Sequence, residues 1–162
     1  MPRRPAPIKG IAAGLAGGLA ASLAMNLFQK LWVNVAPAPD GGGDPATVRA
    51  ANRISRKVTG DFLDKQDKPL AGAFMHYAFG AALGGAYGLA AEYRPKVAAG
   101  FGTGFGTAAM LAFDEGAVPA SGLTQPPTQF GPATHLYSFV SHLVFGAVTE
   151  GTRRSIRGAT GS

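Results

Sequence analysis

Five ionisable side chains that could do chemistry lie inside or beside long uncharged stretches of the sequence. They are His76, Asp114, Glu115, His135 and His142. Imidazole and carboxylate groups can relay or sense protons, because histidine titrates near neutral pH. The same groups can bind a divalent metal, but no closely spaced HxxxH pair supports a metal site. The sequence therefore predicts a candidate polar site without a metal or other cofactor.

A structural interpretation of the same residues stands beside the functional one. A single histidine in a helix often forms a hydrogen bond across a helix interface, and an Asp-Glu pair at a helix end is often an ordinary interfacial stop. The functional and structural interpretations weigh equally for His142. The structural one is favoured for the other four residues.

The distribution of charge indicates which elements position these side chains. Charged residues make up 15% of the chain, against about 25% in soluble domains, and they leave long gaps such as Lys9 to Lys30 and Lys68 to Glu92. A helix needs about 20 mostly apolar residues to cross a bilayer. We therefore predict an all-α integral membrane bundle, one domain over residues 1–162, with four glycine-rich spans at 8–32, 69–93, 95–113 and 134–151.

The first apolar segment has a second interpretation, as a cleaved signal peptide. Ala36-Pro37-Ala38 resembles a small-residue cleavage site, but Pro39 would follow the cut and fits poorly there. The apolar run is also longer than a usual signal core. An uncleaved first span is the better interpretation.

Two further segments connect the predicted spans. Residues 45–64 predict an amphipathic helix, which lies either on the membrane surface or as a solvated helix against the bundle. Residues 116–133 contain four prolines and predict a loop. The short turn at 92–96 makes the second and third spans antiparallel neighbours. In this order His76, Asp114, Glu115 and His135 share one level, and His142 lies deeper.

Small residues recur every four positions in the predicted spans. In lipid, helices associate where small residues let their backbones approach. This pattern predicts a close-packed bundle, and either a homo-oligomer or contacts with other membrane protein subunits. The GFGTGFG run from Gly100 does not indicate a dinucleotide site, because no strand precedes it. The predicted packing positions of the GxxxG type are Gly14, Gly18, Gly80, Gly84, Gly88, Gly100, Gly104 and Gly146.

Several short motifs in the last three spans resemble those of a known family. They are residues 76–80 (HYAFG), 84–88 (GGAYG), 114–115 (DE), 142–146 (HLVFG) and 150–154 (EGTRR). Together they resemble the YagU-like family of uncharacterised bacterial inner-membrane proteins, over roughly residues 69–154. The resemblance implies a multi-pass protein of the bacterial cytoplasmic membrane. It supplies no catalytic residues.

Charge and residue types narrow the function. The net charge is +6, and its basic residues flank apolar segments, which favours anionic lipid headgroups over nucleic acid as partner. The chain has no cysteine and no nucleophile–base pair, so an enzyme ranks last. The sequence predicts a proton or small-ion pathway or sensor formed by a homo-oligomer. The alternative is an accessory or assembly subunit of a larger membrane complex. The loop at 116–133 lacks Lys and Arg, which favours cytoplasmic termini.

Overall fold

The computed structural model describes residues 5–36 and 43–159, and every regular element in these two ranges is helical. The possible cleavage site at 37–39 lies outside them. Three 3₁₀- or π-helical segments interrupt or extend the α-helices. The elements are α1 (Pro7–Trp32), α2 (Ala46–Thr59), α3 (Lys68–Tyr93), a 3₁₀ segment (Pro95–Gly102), α4 (Thr103–Ala109), a π-helical segment (Met110–Ala117), α5 (Val118–Ala120), a 3₁₀ turn (Pro127–Gln129) and α6 (Pro132–Ala159).

Helix α1 lies in the middle of the bundle and packs against both α3 and α6. Helix α4 packs closely against α6. Helix α4 meets α3 where Phe105 stacks on Tyr87, with 4.3 Å between the ring centroids. The π-helical segment meets α3 where Phe113 contacts Phe79, at 4.8 Å between centroids. The long helices therefore follow the spatial order α3, α1, α6, α4. The second and third predicted spans are consecutive and antiparallel, but their backbones are not the closest neighbours.

Glycines set the distance between α1 and α3. A Cβ atom on Gly14 would meet the Gly84 carbonyl oxygen, and one on Gly18 would meet that of Gly80. Gly10 and Gly88 stand in the same relation at the helix ends. The sequence positions run in opposite directions, so the two helices are antiparallel. Only residues without a side chain allow backbones this close.

The contact between α4 and α6 uses a different pair of glycines from the predicted one. A Cβ on Gly102 would meet the Gly146 carbonyl oxygen, and one on Gly106 would meet that of His142. Gly104 is exposed, and a Cβ there would come no closer than 3.9 Å to the Ala99 carbonyl oxygen. Gly100 is also exposed. The prediction of Gly100 and Gly104 as packing positions is thus corrected by half a helical turn to Gly102 and Gly106.

The third predicted span, 95–113, is not one continuous helix. Gly100, Phe101 and Gly102 have φ values of 66°, 54° and 82°. This left-handed turn forms the end of the 3₁₀ segment, just before α4. The two glycines adopt such angles readily, whereas Phe101 is strained there. The register shift from Gly100 to Gly102 follows from this turn, because the regular helix begins only at Thr103.

The helix that begins at Thr103 also runs past residue 113 into the predicted loop, ending at Ala120. Its π-helical part is explained by Pro119, which has no N–H to bond the carbonyl of Glu115. The Val118 N–H instead bonds the Phe113 carbonyl, five residues back. The predicted loop at 116–133 is therefore irregular only after Ala120, apart from the 3₁₀ turn Pro127–Gln129.

Helix α1 has its small residues inside and its large apolar residues outside. Its buried positions are mostly glycine, alanine and serine, while Leu15, Leu19, Leu23, Leu27 and Leu31 are 40–67% exposed. Within the two described ranges, α1 alone is long and apolar enough to cross a membrane by length and composition. On this criterion the first of the four predicted spans is supported, and the other three stay predictions. Glycine-rich α3 contains His76 and Tyr87, which lower its hydropathy.

Candidate functional site

Two adjoining cavities open between the helices at the end of the bundle where α1 finishes and α6 begins. Their volumes are about 230 Å³ and about 300 Å³. Both are lined by Met25, Gln29, Ala46, Asp114 and Val118, so they form one space, which we call the polar cleft. Helix α2 covers part of it through Ala46 at its first turn.

The structure places all five predicted site residues around the polar cleft. His76, Asp114 and His142 line the larger cavity. Asp114, Glu115 and His135 line the smaller one. They come from α3, the π-helical segment and α6. Whether they act as a functional site stays a prediction, taken up below.

His135 and Glu115 form the first imidazole–carboxylate pair of the cleft. His135 Nδ1 lies 2.8 Å from Glu115 Oε1, and His135 Nε2 lies 3.2 Å from the Pro127 carbonyl oxygen. Both partners are acceptors, so the ring can satisfy both only when each nitrogen carries a proton. The geometry thus favours the imidazolium form facing the Glu115 carboxylate.

His142 and Asp114 form the second pair, which is looser. His142 Nδ1 donates to the Ser138 carbonyl oxygen at 3.0 Å and lies 3.7 Å from Asp114 Oδ2. Asp114 also accepts a short hydrogen bond from Ser138 Oγ. The His142 side chain is only 12% exposed and that of Asp114 is 42% exposed. The second pair therefore joins a buried imidazole to a carboxylate that reaches the open part of the cleft.

Three polar side chains deeper in the bundle extend this arrangement. His76 Nε2 donates to the Ser22 carbonyl oxygen at 3.4 Å. Ser22 Oγ and Ser141 Oγ are buried and have no protein hydrogen-bond partner among the described residues. Buried hydroxyl groups are normally paired with protein or ordered water. Both serines line the cleft, so their hydroxyl groups can form hydrogen bonds with water or another polar molecule in it.

Asp114 and Glu115 owe their positions to the π-helical segment. A π-helical turn adds a residue to the turn and often occurs at functional sites. Here it turns two successive acidic side chains toward the same cleft, and each meets a different histidine of α6. The sequence signal for this turn was Pro119, interpreted beforehand only as a loop residue.

A second ionic cluster lies at the opposite end of the bundle. Glu150 is fully buried and accepts hydrogen bonds from Tyr87 at 2.8 Å, from Arg153 at 2.7 and 2.9 Å and from Arg154 at 2.5 Å. Arg153 and Arg154 lie three and four residues after Glu150, a spacing that brings their side chains to one face of the helix. Hydrogen bonding to the Glu150 carboxylate raises the pKa of Arg153. All acceptor positions are used, so the Glu150 cluster serves as a structural clamp.

A neighbouring ion pair ties the chain ends together. Arg157 donates to both oxygens of Glu92 at 2.7 and 3.0 Å. Glu92 also accepts the Ala6 N–H at 2.9 Å, just before α1. One carboxylate thus joins α1, α3 and α6, which fixes their relative heights.

No metal site is evident in the part of the chain that the structure describes, where no group of three or more His, Asp or Glu side chains could hold an ion. The two pairs of the polar cleft remain separate. The chemistry that the arrangement can support is proton exchange between imidazole and carboxylate.

A sequence family matches residues 54–151 and is described as a protein of unknown function, DUF1440. The chain belongs to this family. The matched region contains all five predicted site residues and Glu150, but it does not include α1. The match agrees with an uncharacterised family, while the YagU-like name stays a prediction. No curated protein and no solved structure matches the chain.

Three serines of the cleft were not predicted as site residues, namely Ser22, Ser138 and Ser141. Ser22 continues the series Gly10, Gly14, Gly18 and had the appearance of a packing residue. Ser138 lies four residues before His142, a spacing that places both on one helix face. That spacing was the available signal, but serine also satisfies its hydroxyl locally in many helices.

Proposed function

We propose that this DUF1440 chain is a multi-pass integral membrane protein of the bacterial cytoplasmic membrane. The observation that carries this proposal is that α1 exposes its large apolar side chains and buries its small residues, the reverse of a helix in a water-soluble protein. Its leucines at every fourth position are exposed, whereas its glycines, alanines and Ser22 are buried. In water such a stripe would be costly, and large exposed apolar patches mark membrane or partner contacts. In lipid it is the expected outer surface.

The other long helices support the same proposal. Large apolar side chains project outward from α3 at Leu70 and Phe74, which are 77% and 70% exposed, and from the π-helical segment at Leu111, which is 58% exposed. On α6, Leu136 and Phe139 are 53% and 37% exposed. With α3, the helix from Thr103 and α6 added to α1, the chain would cross the bilayer four times.

Retention in the membrane tests this part of the proposal. After a wash at alkaline pH, an integral protein stays in the membrane pellet, whereas a peripheral one is released. We expect the full chain to remain and to need detergent for extraction. Release by the wash would refute the spans.

We further propose that the polar cleft is the entry to a proton pathway. Two imidazole–carboxylate pairs share one space, and the deeper imidazole, His142, is nearly buried. Histidine exchanges protons near neutral pH, and ionisable side chains at membrane depth commonly mark proton or ion routes. Asp114 could take up a proton from the open part of the cleft, and its Oδ2 lies 3.7 Å from His142 Nδ1. Because Nδ1 already carries the proton that it donates to the Ser138 carbonyl oxygen, the imidazole would accept the new proton at Nε2 after a rotation of the ring.

Proton uptake by liposomes tests the pathway. The purified chain is reconstituted around a pH-sensitive dye, and a pH step is applied. We expect His142→Ala to reduce the rate to that of empty vesicles. Leu136→Ala is the matched control, because it removes an exposed side chain from the same helix and should keep the wild-type rate. Equal rates for His142→Ala and the wild type, at equal reconstitution, would refute the role of His142.

The homo-oligomer stays a prediction. Most of the glycine faces that suggested it are occupied within the chain, since Gly14 and Gly84 pack on one another and Gly146 packs on Gly102. An oligomer would have to use the large exposed side chains or the exposed Gly100 and Gly104. The native mass of the protein in mild detergent measures this directly.

A further inference from the structure

Helix α2 has an apolar face that extends beyond the protein surface it covers. Val48 and Ala51 are buried, and Val48 lies over Gly72 at the start of α3, where a Cβ on the glycine would come within 2.5 Å of Val48 Cγ2. Ile54 and Val58 continue the same face, as the helical period requires. They are 51% and 79% exposed. The second half of α2 thus presents an apolar surface that the described part of the chain leaves uncovered.

The opposite face of α2 is basic. The helix contains Arg49, Arg53, Arg56 and Lys57 and no acidic residue. Arg49 bonds the Asp44 carbonyl oxygen at 2.8 Å, and Arg53 bonds the Ser121 carbonyl oxygen at 2.7 Å. The Arg53 bond holds the helix on the bundle, whereas the Arg49 bond is local to the start of α2. The exposed Arg56 and Lys57 remain on the basic face.

The chain that follows α2 places an aromatic ring against the basic face of the helix. It turns at Gly60, with φ 91°, and is held back against the helix because Asn52 Oδ1 accepts the Leu63 N–H at 3.0 Å. Phe62 is 64% exposed, and the Arg56 guanidinium lies 5.3 Å from its ring centroid. Asp61, Asp64 and Asp67 follow, but residues 46–68 still hold six basic against three acidic side chains.

We propose that Ile54 and Val58 dock α2 into the surface of an anionic bilayer, with Arg56 and Lys57 at the level of the lipid phosphates. An exposed apolar stripe beside basic residues is the pattern of helices that lie in the membrane interface. Charge complementarity selects anionic phospholipid as the occupant. The inference rests on the proposed membrane spans, because α2 lies beside Lys68, where α3 would enter the bilayer.

Single-cysteine labelling tests this docking on the full chain, which has no native cysteine. An NBD fluorophore is attached at Val58→Cys, at Lys57→Cys or at Leu23→Cys in liposomes with spin-labelled lipids. We expect shallow quenchers to quench the label at 58 strongly and the label at 57 weakly, since one residue turns it by about 100°. Deep quenchers should quench the label at 23, on the exposed leucine stripe of α1.

The label at 23 separates the two proposals. If the label at 23 is quenched and that at 58 is not, the docking of α2 is overturned and the spans stand. If neither is quenched, both are overturned. Crosslinking of Val58→Cys to a second copy, without lipid quenching, would identify a protein interface and would also overturn the docking.

The lipid composition tests the charge argument. Each basic side chain near an anionic surface should favour the docked state about fivefold, from about 1 kcal/mol per residue. We expect quenching at 58 to increase when phosphatidylglycerol is added to phosphatidylcholine vesicles. The double variant Arg56→Gln/Lys57→Gln should lose most of this increase. Equal quenching in both vesicle types would overturn the selection of anionic lipid.

Discussion

Replacing Gly84 by alanine should push α1 and α3 apart. The new Cβ would lie 2.7 Å from both the Cα and the amide nitrogen of Gly18, and closer still to the Gly14 carbonyl oxygen. Ordinary contact begins near 3.4 Å, and every atom in the way belongs to a backbone. No rotamer change can relieve this, so the helices must separate by several tenths of an ångström along their whole contact.

The size of the effect follows from two opposing terms. Overpacking of this kind costs about 1–3 kcal/mol, and removal of a helical glycine returns about 0.5–1 kcal/mol. We expect Gly84→Ala to lower the free energy of unfolding by about 1–2 kcal/mol. The neighbour Gly85 is the matched control, because its Cβ would meet only side chains, those of Leu15 at 3.1 and 3.2 Å and of Ile11 at 3.8 Å. Gly85→Ala should be neutral or slightly stabilising.

The assay is unfolding of each variant in mild detergent by added dodecyl sulfate, followed by circular dichroism. The difference between the two alanine variants removes the shared contribution of helix propensity. If Gly84→Ala unfolds at the same or a higher dodecyl sulfate concentration than Gly85→Ala, the glycine contact does not set the distance between α1 and α3. Close packing of the bundle would then be refuted at the contact between α1 and α3.

Two further pairs of variants follow from the structure. Gly106→Ala should destabilise the chain by about 1–2 kcal/mol, because its Cβ would meet the His142 carbonyl oxygen, whereas the exposed Gly104→Ala should not; equal unfolding would contradict the register of α4 on α6. Glu150→Ala should cost about 3–5 kcal/mol by leaving Arg153 buried without its carboxylate. Arg154→Ala, which removes a half-exposed partner, should cost about 1 kcal/mol or less; similar losses in the same unfolding assay would show that the Glu150 cluster is not a clamp.

The continuous helices could be predicted from the sequence closely. The stretch 8–32 corresponds to Pro7–Trp32, and 69–93 corresponds to Lys68–Tyr93. Charge gaps and flanking prolines define such helices without tertiary information. The third predicted span, 95–113, could not be predicted in this way, because a left-handed turn at Phe101 has no hydropathy signal. The π-helical turn before Pro119 also shifts the helix register without interrupting the apolar pattern of the sequence.

The candidate site was predictable in its residues but not in its pairing. Antiparallel order alone brings Asp114, Glu115 and His135 to one level. Which carboxylate meets which histidine depends on the π-helical turn, since the wider turn changes the directions of Asp114 and Glu115 relative to a regular α-helix. The cleft serines could not be identified without the packing of α1. In the sequence, Ser22 only occupies the next position after Gly10, Gly14 and Gly18.

The glycine contacts also explain why the cleft has an opening at one end. They join α1 to α3 from Gly10 to Gly18, and α6 to α4 from Gly146 to His142. Beyond them the same faces carry Ser22, Asp114 and other larger side chains, so the backbones separate and leave space.

Toward the other end, the rings of Phe145, Phe105 and Tyr87 form a layer between this space and Glu150, with centroids 6.0 and 4.3 Å apart. A proton that enters at Asp114 and reaches His142 must pass this layer to cross the bundle. Because Tyr87 is hydrogen-bonded to Glu150, moving the ring layer also disturbs the clamp that holds α3 and α6. The proposed pathway would therefore be closed at this layer, and opening it would disturb the Glu150 cluster.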